Sequence, residues 1–196
     1  MVQTPVERLT LEAFLALPET KPASEYINGQ IIQKPMPKPR HSRIQLMLSL
    51  AINEALEHRE LASAFPELRC TFGGRSIVPD VGVLTWSKLP FDEEGELVDE
   101  FEGCPDWAIE ILSPDQGQKK VWDKVLHALN HGTQMGWLLN PKDRSILTCG
   151  VGQQPQLFVH DEQRLAVPDF AVSLDLTVGD VFSCLKYGQL KSGQKR

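Results

Sequence analysis

Apolar residues recur along this chain with two periods. Near the start, "RLTLEAFLALPE" sets Leu11, Phe14, Leu15 and Leu17 at helical spacing behind Thr10, a capping residue, and Pro18 stops the run. "SEYINGQIIQK" then reads as two strands about Asn28-Gly29, because both residues tolerate the positive φ of a two-residue hairpin turn. Pro35, Pro37 and Pro39 in "PMPKPRHS" cannot lie inside a helix, so the long helix is expected from His41 to about Glu57. Ile44, Leu48, Ala51, Ile52 and Ala55 form its buried stripe, which Leu46 and Met47 widen.

Strand-like runs follow in "ASAFPELRCTF", "SIVPDVGVLTW" and "PDWAIEIL". The insert "SKLPFDEEGELVDEFEGCP" is acidic and irregular, which predicts an exposed loop. "DQGQKKVWDKVLHALNHG" predicts a helix capped at its end by Gly132, with Ser113 or Asp115 capping its start. "MGWLLNP", "RSILTCGV" and "PQLFVH" read as three more strands, and "LTVGDVFSCL" as a short closing helix. The order predicts an α/β domain of mixed type, a central mixed β-sheet flanked by helices. One domain is expected over residues 1–188, with 189–196 a polar, disordered tail.

Composition narrows the function classes. A chain of 196 residues can bury a sizeable core in one domain. The formal net charge of -6 argues against a general coat on bulk nucleic acid. A local basic group remains in Lys34, Lys38, Arg40 and Arg43, which reads either as a set of phosphate contacts or as a solvated loop. Cys70, Cys104, Cys149 and Cys184 form no CxxC pair, so buried reduced thiols are expected rather than a zinc ribbon or disulfide framework. No apolar run approaches the roughly 20 residues of a membrane span, and no secretory segment follows Met1, so a soluble, cytoplasmic protein is expected.

Candidate chemistry comes from strand alternation. In "DWAIEILSP", Trp107, Ile109 and Ile111 share one face, and Ala108, Glu110 and Leu112 the other. In "VPDVGVL", Asp80, Gly82 and Leu84 oppose Val81 and Val83. Each strand so sets one carboxylate beside a very small residue, Gly82 or Ala108, leaving space for a cation. Pro79 cannot donate to a ladder and belongs at a strand start, a bulge or an edge. Two close carboxylates repel unless one is protonated or a cation lies between them. Oxygen ligands of this kind suit Mg²⁺ or Mn²⁺. On the helix after "SP", Lys124 falls on the flank of a stripe made by Val121, Trp122, Val125, Leu126, Ala128 and Leu129. Its stem can reach Glu110. Plainer roles stay open: Asp80 as a turn cap, Glu110 in a salt bridge with Lys124 alone, His41 as an idle first-turn residue.

The stretches "SEYINGQII", "PKPRHS", "VPDVGVL", "WAIEILSP" and "DK…NHG…MGWLLNP", in this order, resemble the Uma-two family of restriction-endonuclease-like proteins, of the PD-(D/E)XK nuclease fold. The resemblance runs from about Leu9 to Val181. It implies that Asp80 and Glu110 bind the metal. The usual lysine two residues after the glutamate falls on Leu112, and Lys124 matches the lysine moved to the next helix. Glu25 is the best match to an acidic residue near the amino end, and His41 matches a histidine at the start of the long helix. Ala128 stands where an aromatic residue is frequent, and Asn140 where an aspartate is. The implied activity is Mg-dependent (or Mn-dependent) endonucleolytic hydrolysis of DNA, with Lys38, Arg40 and Arg43 as nucleic-acid contacts and a homodimer as a plausible assembly. The alternative is a catalytically silent nuclease-fold protein serving as a binding or assembly module.

Overall fold

A computed structural model of the chain describes residues 9–99, 101–114 and 116–186. Asp115 and the expected tail at 189–196 lie outside these residues. The elements are α1 (Leu11–Leu15), β1 (Ser24–Ile27), β2 (Gln30–Gln33), α2 (Pro39–Leu56), β3 (Ala62–Pro66), β4 (Cys70–Phe72), β5 (Arg75–Ile77) and β6 (Val81–Thr85). After the acidic insert come β7 (Trp107–Ile111), α3 (Gln118–Leu129), β8 (Met135–Asn140), β9 (Ser145–Gly150), β10 (Gln156–Phe158) and α4 (Val178–Ser183).

The central sheet has six strands in the order β10-β9-β8-β7-β6-β3. Only β7 and β8 among them run parallel, and α3 supplies the crossover that parallel neighbours require. A second, four-stranded antiparallel sheet, β2-β1-β5-β4, was not separable from the first by alternation, since both have the same period. The long runs expected as single strands each break in two: β3 and β6 join the central sheet, β4 and β5 the smaller one. Pro79 and Asp80 lie where the chain leaves the smaller sheet and enters β6, so a residue that donates no ladder bond sits outside the ladder.

One face of the central sheet carries the main core. Val81, Val83, Trp107, Ile109, Ile111, Trp137 and Leu139 pack there against Ile44, Leu48, Ile52 and Leu56 of α2 and Val178, Val181 and Phe182 of α4. Trp107 and Trp137 meet edge to face with ring centres 4.6 Å apart. The opposite face is covered by α3, where Val121 packs with Leu112 and Leu138, and Val125 with Leu129 and Cys149. Trp122 is half-buried beside both groups, whereas Leu126 is exposed and His127 is buried. The apolar face of α3 is therefore rotated from the expected stripe.

Several boundaries differ from expectation. The long helix starts at Pro39, because a proline in the first helical turn loses no hydrogen bond. Gly117, not Ser113, is the N-cap of α3, and no side chain caps it. The backbone N–H of Ser113 instead donates to Gln116 Oε1 at 3.1 Å. The helix ends at Leu129 with Asn130 as C-cap, and Gly132 (φ 109°) serves the turn beyond it. The Asn28-Gly29 hairpin forms as expected, with both residues at positive φ. Among the described residues no helix is long and apolar enough to cross a membrane.

Candidate active site

β7 lies in the interior of the central sheet, so each of its side chains must be accommodated by a packed layer. Glu110 points to the α3 side and is 3% exposed. Two registers bring its partners in. Gly82 pairs with Ala108 and Val81 with Ile109, which brings Asp80, one residue before β6, beside the end of β7. There Asp80 Oδ2 accepts the backbone N–H of Ile111 at 2.7 Å. Helical periodicity turns Lys124 of α3 inward, and its Nζ lies 2.8 Å from Glu110 Oε1. The ammonium also donates to Glu25 Oε1 of β1 at 2.9 Å. Lys124 thus ties the helix to one strand of each sheet.

Asp80, Glu110, Lys124, Glu25 and His41 all come together in one buried cluster. His41, in the first turn of α2, has Nε2 3.1 Å from Asp80 Oδ2, and its buried Nδ1 has no hydrogen-bond partner among the described residues. Glu25 Oε1 further accepts the Val78 N–H at 2.9 Å. Leu112, at the usual lysine position, packs against Val121 and Leu138, and Lys124 supplies the ammonium beside Glu110.

Lys34 stands apart from the surface bases with which its sequence neighbourhood groups it: it is buried. Its Nζ donates to Asp80 Oδ1 at 2.7 Å and to the Val78 carbonyl at 2.8 Å. Only its place right after an exposed edge strand, at the entry to the proline-rich turn, hinted at an inward course. Gln45 carried no signal in the sequence; its Nε2 donates to the Asp80 carbonyl at 2.7 Å. The space beside Gly82 is bounded by apolar side chains, not by oxygen ligands. A Cβ there would meet Pro79, Pro105 and Leu68 at 3.6–3.9 Å, so these three walls leave room for about one methyl group.

Electrostatics follow from burial and pairing. For Asp80, burial opposes ionisation, but Lys34, His41 and Lys124 outweigh it and hold its pKa below the ordinary range. Burial pushes Glu110 the other way, up to about 8, against the pull of Lys124 and with Asp80 adding repulsion. Burial disfavours the Lys124 ammonium too, yet Glu110, Glu25 and Asp80 prevail and raise its pKa.

Beside the cluster opens a pocket of about 520 Å³. Lys38, Arg40 and His41 line it from α2 and the turn before, Leu112 and Ser113 from the end of β7, and Lys142 from the β8–β9 turn. Of the expected nucleic-acid contacts, Lys38 and Arg40 are therefore at the pocket. Arg43 is not; its Nε donates to the Cys184 carbonyl at 3.4 Å. Asn140 organises the β8–β9 turn, donating through Nδ2 to Asp143 Oδ2 at 3.0 Å and accepting the Lys142 N–H at 3.1 Å.

A central mixed sheet with helices on both faces, and an Asp–Glu–Lys cluster where β6 enters and β7 ends, define a restriction-endonuclease-like fold. The family described as "Uma2: Putative restriction endonuclease" matches residues 11–179. The chain belongs to that family. Among solved structures, the crystal structure of "a putative nuclease belonging to DUF820 from Anabaena variabilis" is 50% identical and superposes with a TM-score of 0.88, covering 90% of this chain and 99% of that one. No curated protein matches.

The fold family implies a divalent ion at Asp80 and Glu110. The donor chemistry fits: carboxylate oxygens are the ligands that Mg²⁺ and Mn²⁺ take. Lys34 pairs with Asp80, and Lys124 with Glu110 and Glu25. Among the described residues no three His, Cys, Asp or Glu side chains surround a common point. Lys34 and His41 occupy the Asp80 oxygens instead.

Proposed function

We propose that the protein is a metal-dependent endonuclease of the PD-(D/E)XK type that hydrolyses phosphodiester bonds in DNA. The observation that carries this reading is the buried Asp80–Glu110–Lys124 cluster, which borders through His41 on a pocket edged with basic side chains. The family description and the structural neighbour, itself described as a nuclease, support it. Asp80 and Glu110 would hold Mg²⁺ or Mn²⁺, with Glu25 assisting. When bound, such an ion activates a water and stabilises charge on the phosphoryl group. Lys124 is a poor proton acceptor, because the carboxylates around it hold it as an ammonium. Its part is to fix Glu110 and to balance negative charge on the reacting phosphate. His41 positions Asp80 through Nε2. Lys38 and Arg40 engage backbone phosphates. The test is Mg²⁺- or Mn²⁺-dependent cleavage of varied DNA substrates by the wild type and Glu110→Ala. Cleavage lost in the variant supports the reading, and equal activity in both overturns it.

One observation favours a second reading. Both Asp80 oxygens already have close partners in Lys34, His41 and the Ile111 N–H, as they would in a catalytically silent protein that keeps the fold for binding or assembly. Titration with Mn²⁺ separates the two. A silent protein binds no ion that Asp80→Ala abolishes.

A further inference from the structure

We infer that β2 is an assembly edge, at which a second copy of this chain pairs antiparallel and continues the smaller sheet across a two-fold axis. The inference goes beyond the nuclease reading and does not depend on it. β2 ends the four-stranded sheet, and among the described residues no strand lies on its outer side. All four of its residues, Gln30, Ile31, Ile32 and Gln33, are exposed, and none is charged. Folded chains blunt such edges with charges, prolines, short strands or cover, because a free edge recruits another strand. The other edges of the two sheets are managed in this way. The Asn53 side chain closes β3, donating to the Ala64 carbonyl at 3.2 Å and accepting the Ala64 N–H at 2.6 Å. β4 and β10 have three residues each, and His127 Nε2 lies 3.3 Å from the Phe72 carbonyl at the end of β4.

The phase of the ladder fixes which backbone groups of β2 are free. Lys34 donates its N–H to the Ala23 carbonyl at 2.9 Å, in the register of β1 with β2. Gln30, Ile32 and Lys34 therefore turn their backbone groups towards β1, and Ile31 and Gln33 turn theirs outward. Antiparallel pairing of this strand with its own copy places a two-fold axis normal to the sheet. With Ile32 on that axis, Ile31 of each copy meets Gln33 of the other, and these two pairs exchange four N–H···O bonds. Every outward N–H and C=O of the strand is then used. The pattern is complementary to itself, which singles out a second copy as the partner.

The apolar surface agrees. Ile31 is paired with Tyr26, whose ring packs with Phe14 of α1 at 5.6 Å. On that face Ile31 lines a groove with Leu15, Leu17 and Pro18. Leu15, Leu17 and Ile31 are each 47% exposed, and Ile32 is 40% exposed. The axis would set both grooves side by side on the α1 face, and the two Ile32 side chains against each other on the opposite face. Covering strand and groove on both copies removes on the order of 1,000 Å² from water, the size that a specific interface must reach. Ile32 pairs with Glu25 across β1 and β2, so this interface lies one strand away from the acidic cluster.

The experiment is light scattering on the full chain after size exclusion. It uses no metal or nucleic acid, so failure of the nuclease reading is seen separately. The wild type is expected at twice the 22.0 kDa of one chain. Ile32→Lys sets two ammonium groups face to face on the axis, and Gln33→Pro removes an outward N–H that no ladder bond within the chain uses. Both are expected at the mass of one chain, with the far-UV circular dichroism of the wild type. Leu157→Lys, on the β10 edge, should remain a dimer. Register is read by cysteine crosslinking with oxidised glutathione. Two Ile32→Cys side chains would face each other in a non-hydrogen-bonded pair, with Cα atoms about 4.5 Å apart, and should give a covalent dimer on non-reducing gels. Gln30→Cys, on the same face but two residues from the axis, should not. A monomeric wild type, a dimer that persists in either folded variant of β2, a dimer lost in Leu157→Lys, or crosslinking through Gln30→Cys as readily as through Ile32→Cys overturns the inference. If neither β2 variant folds, the crosslinking pair decides.

Discussion

The Lys124 ammonium sits 2.8 Å from the Glu110 carboxylate, and both side chains are nearly closed to solvent. A buried pair of this kind is weak evidence of net stabilisation, but removing one partner strands the other. Lys124→Met leaves Glu110 and Glu25 without their shared cation. It is expected to lower unfolding free energy by about 3–5 kcal/mol, measured by urea denaturation. A loss under about 1 kcal/mol would mean that the carboxylates find other partners or take up protons at little cost.

Lys34 holds the place at Asp80 Oδ1 that an incoming cation would need. Replacing it removes a competing positive charge 2.7 Å from that oxygen. Lys34→Gln is therefore expected to tighten Mn²⁺ binding by about tenfold, a gain of ~1.4 kcal/mol, read from free Mn²⁺ by electron paramagnetic resonance. Unchanged or weaker binding in a variant that folds normally would show that Lys34 does not compete for the site.

Lys124 and Lys34 differ in how far their surroundings can be read from the order of residues. Alternation and helical period are local rules, and they suffice to turn Glu110 and Lys124 inward. The pairing of Lys34 with Asp80 spans 46 residues and depends on how the two sheets approach, which no local period encodes. The same limit explains why two sheets read as one. It also explains the stripe of α3: the smaller sheet packs there, with His127 Nε2 3.3 Å from the Phe72 carbonyl, so His127 is buried in place of Leu126. The start of α2 and the cap of α3 differ from expectation by two to four residues, where proline and glycine permit more than one boundary.

That contact gives a pH signature. Burial lowers the His127 pKa, and the nearby positive charge of Arg75 adds to the effect, while the Phe72 carbonyl opposes it. The unfolded chain, with a pKa near 6.5, then takes up a proton before the folded protein does. The stability contributed by neutral His127 is present above about pH 6.5 and is lost as pH falls towards the folded-state pKa. Carboxylates with lowered pKa, such as Glu19 and Asp161, act below this window. Glu110, raised to about 8, acts within it with the opposite sign, adding stability as pH falls, and does so in wild type and variant alike, so the difference between the two reports His127. From pH 7.5 to 5.5 the melting temperature of the wild type is expected to lose ground relative to that of His127→Gln. Parallel curves would show that His127 does not set the slope.

Gly136 of β8 determines how closely α3 can lie on the sheet. A Cβ at this position would come within van der Waals overlap of Val125 Cγ1, which belongs to the branched, rotamer-restricted side chain that faces it. The clash is not with the free end of a long side chain, so relief requires α3 to move. Gly136→Ala is expected to cost about 1–3 kcal/mol by overpacking, despite the general preference for alanine over glycine in regular structure. Val125 is the residue after Lys124, so the same displacement would carry the ammonium away from Glu110. Gly136→Ala should therefore impair cleavage as well as stability. Val125→Ala, by removing the opposing methyls, should restore part of both in the double variant. Stability from urea melts and cleavage rates in Mn²⁺ check this. If Gly136→Ala alone is as stable and active as the wild type, close contact between α3 and β8 is not what positions Lys124.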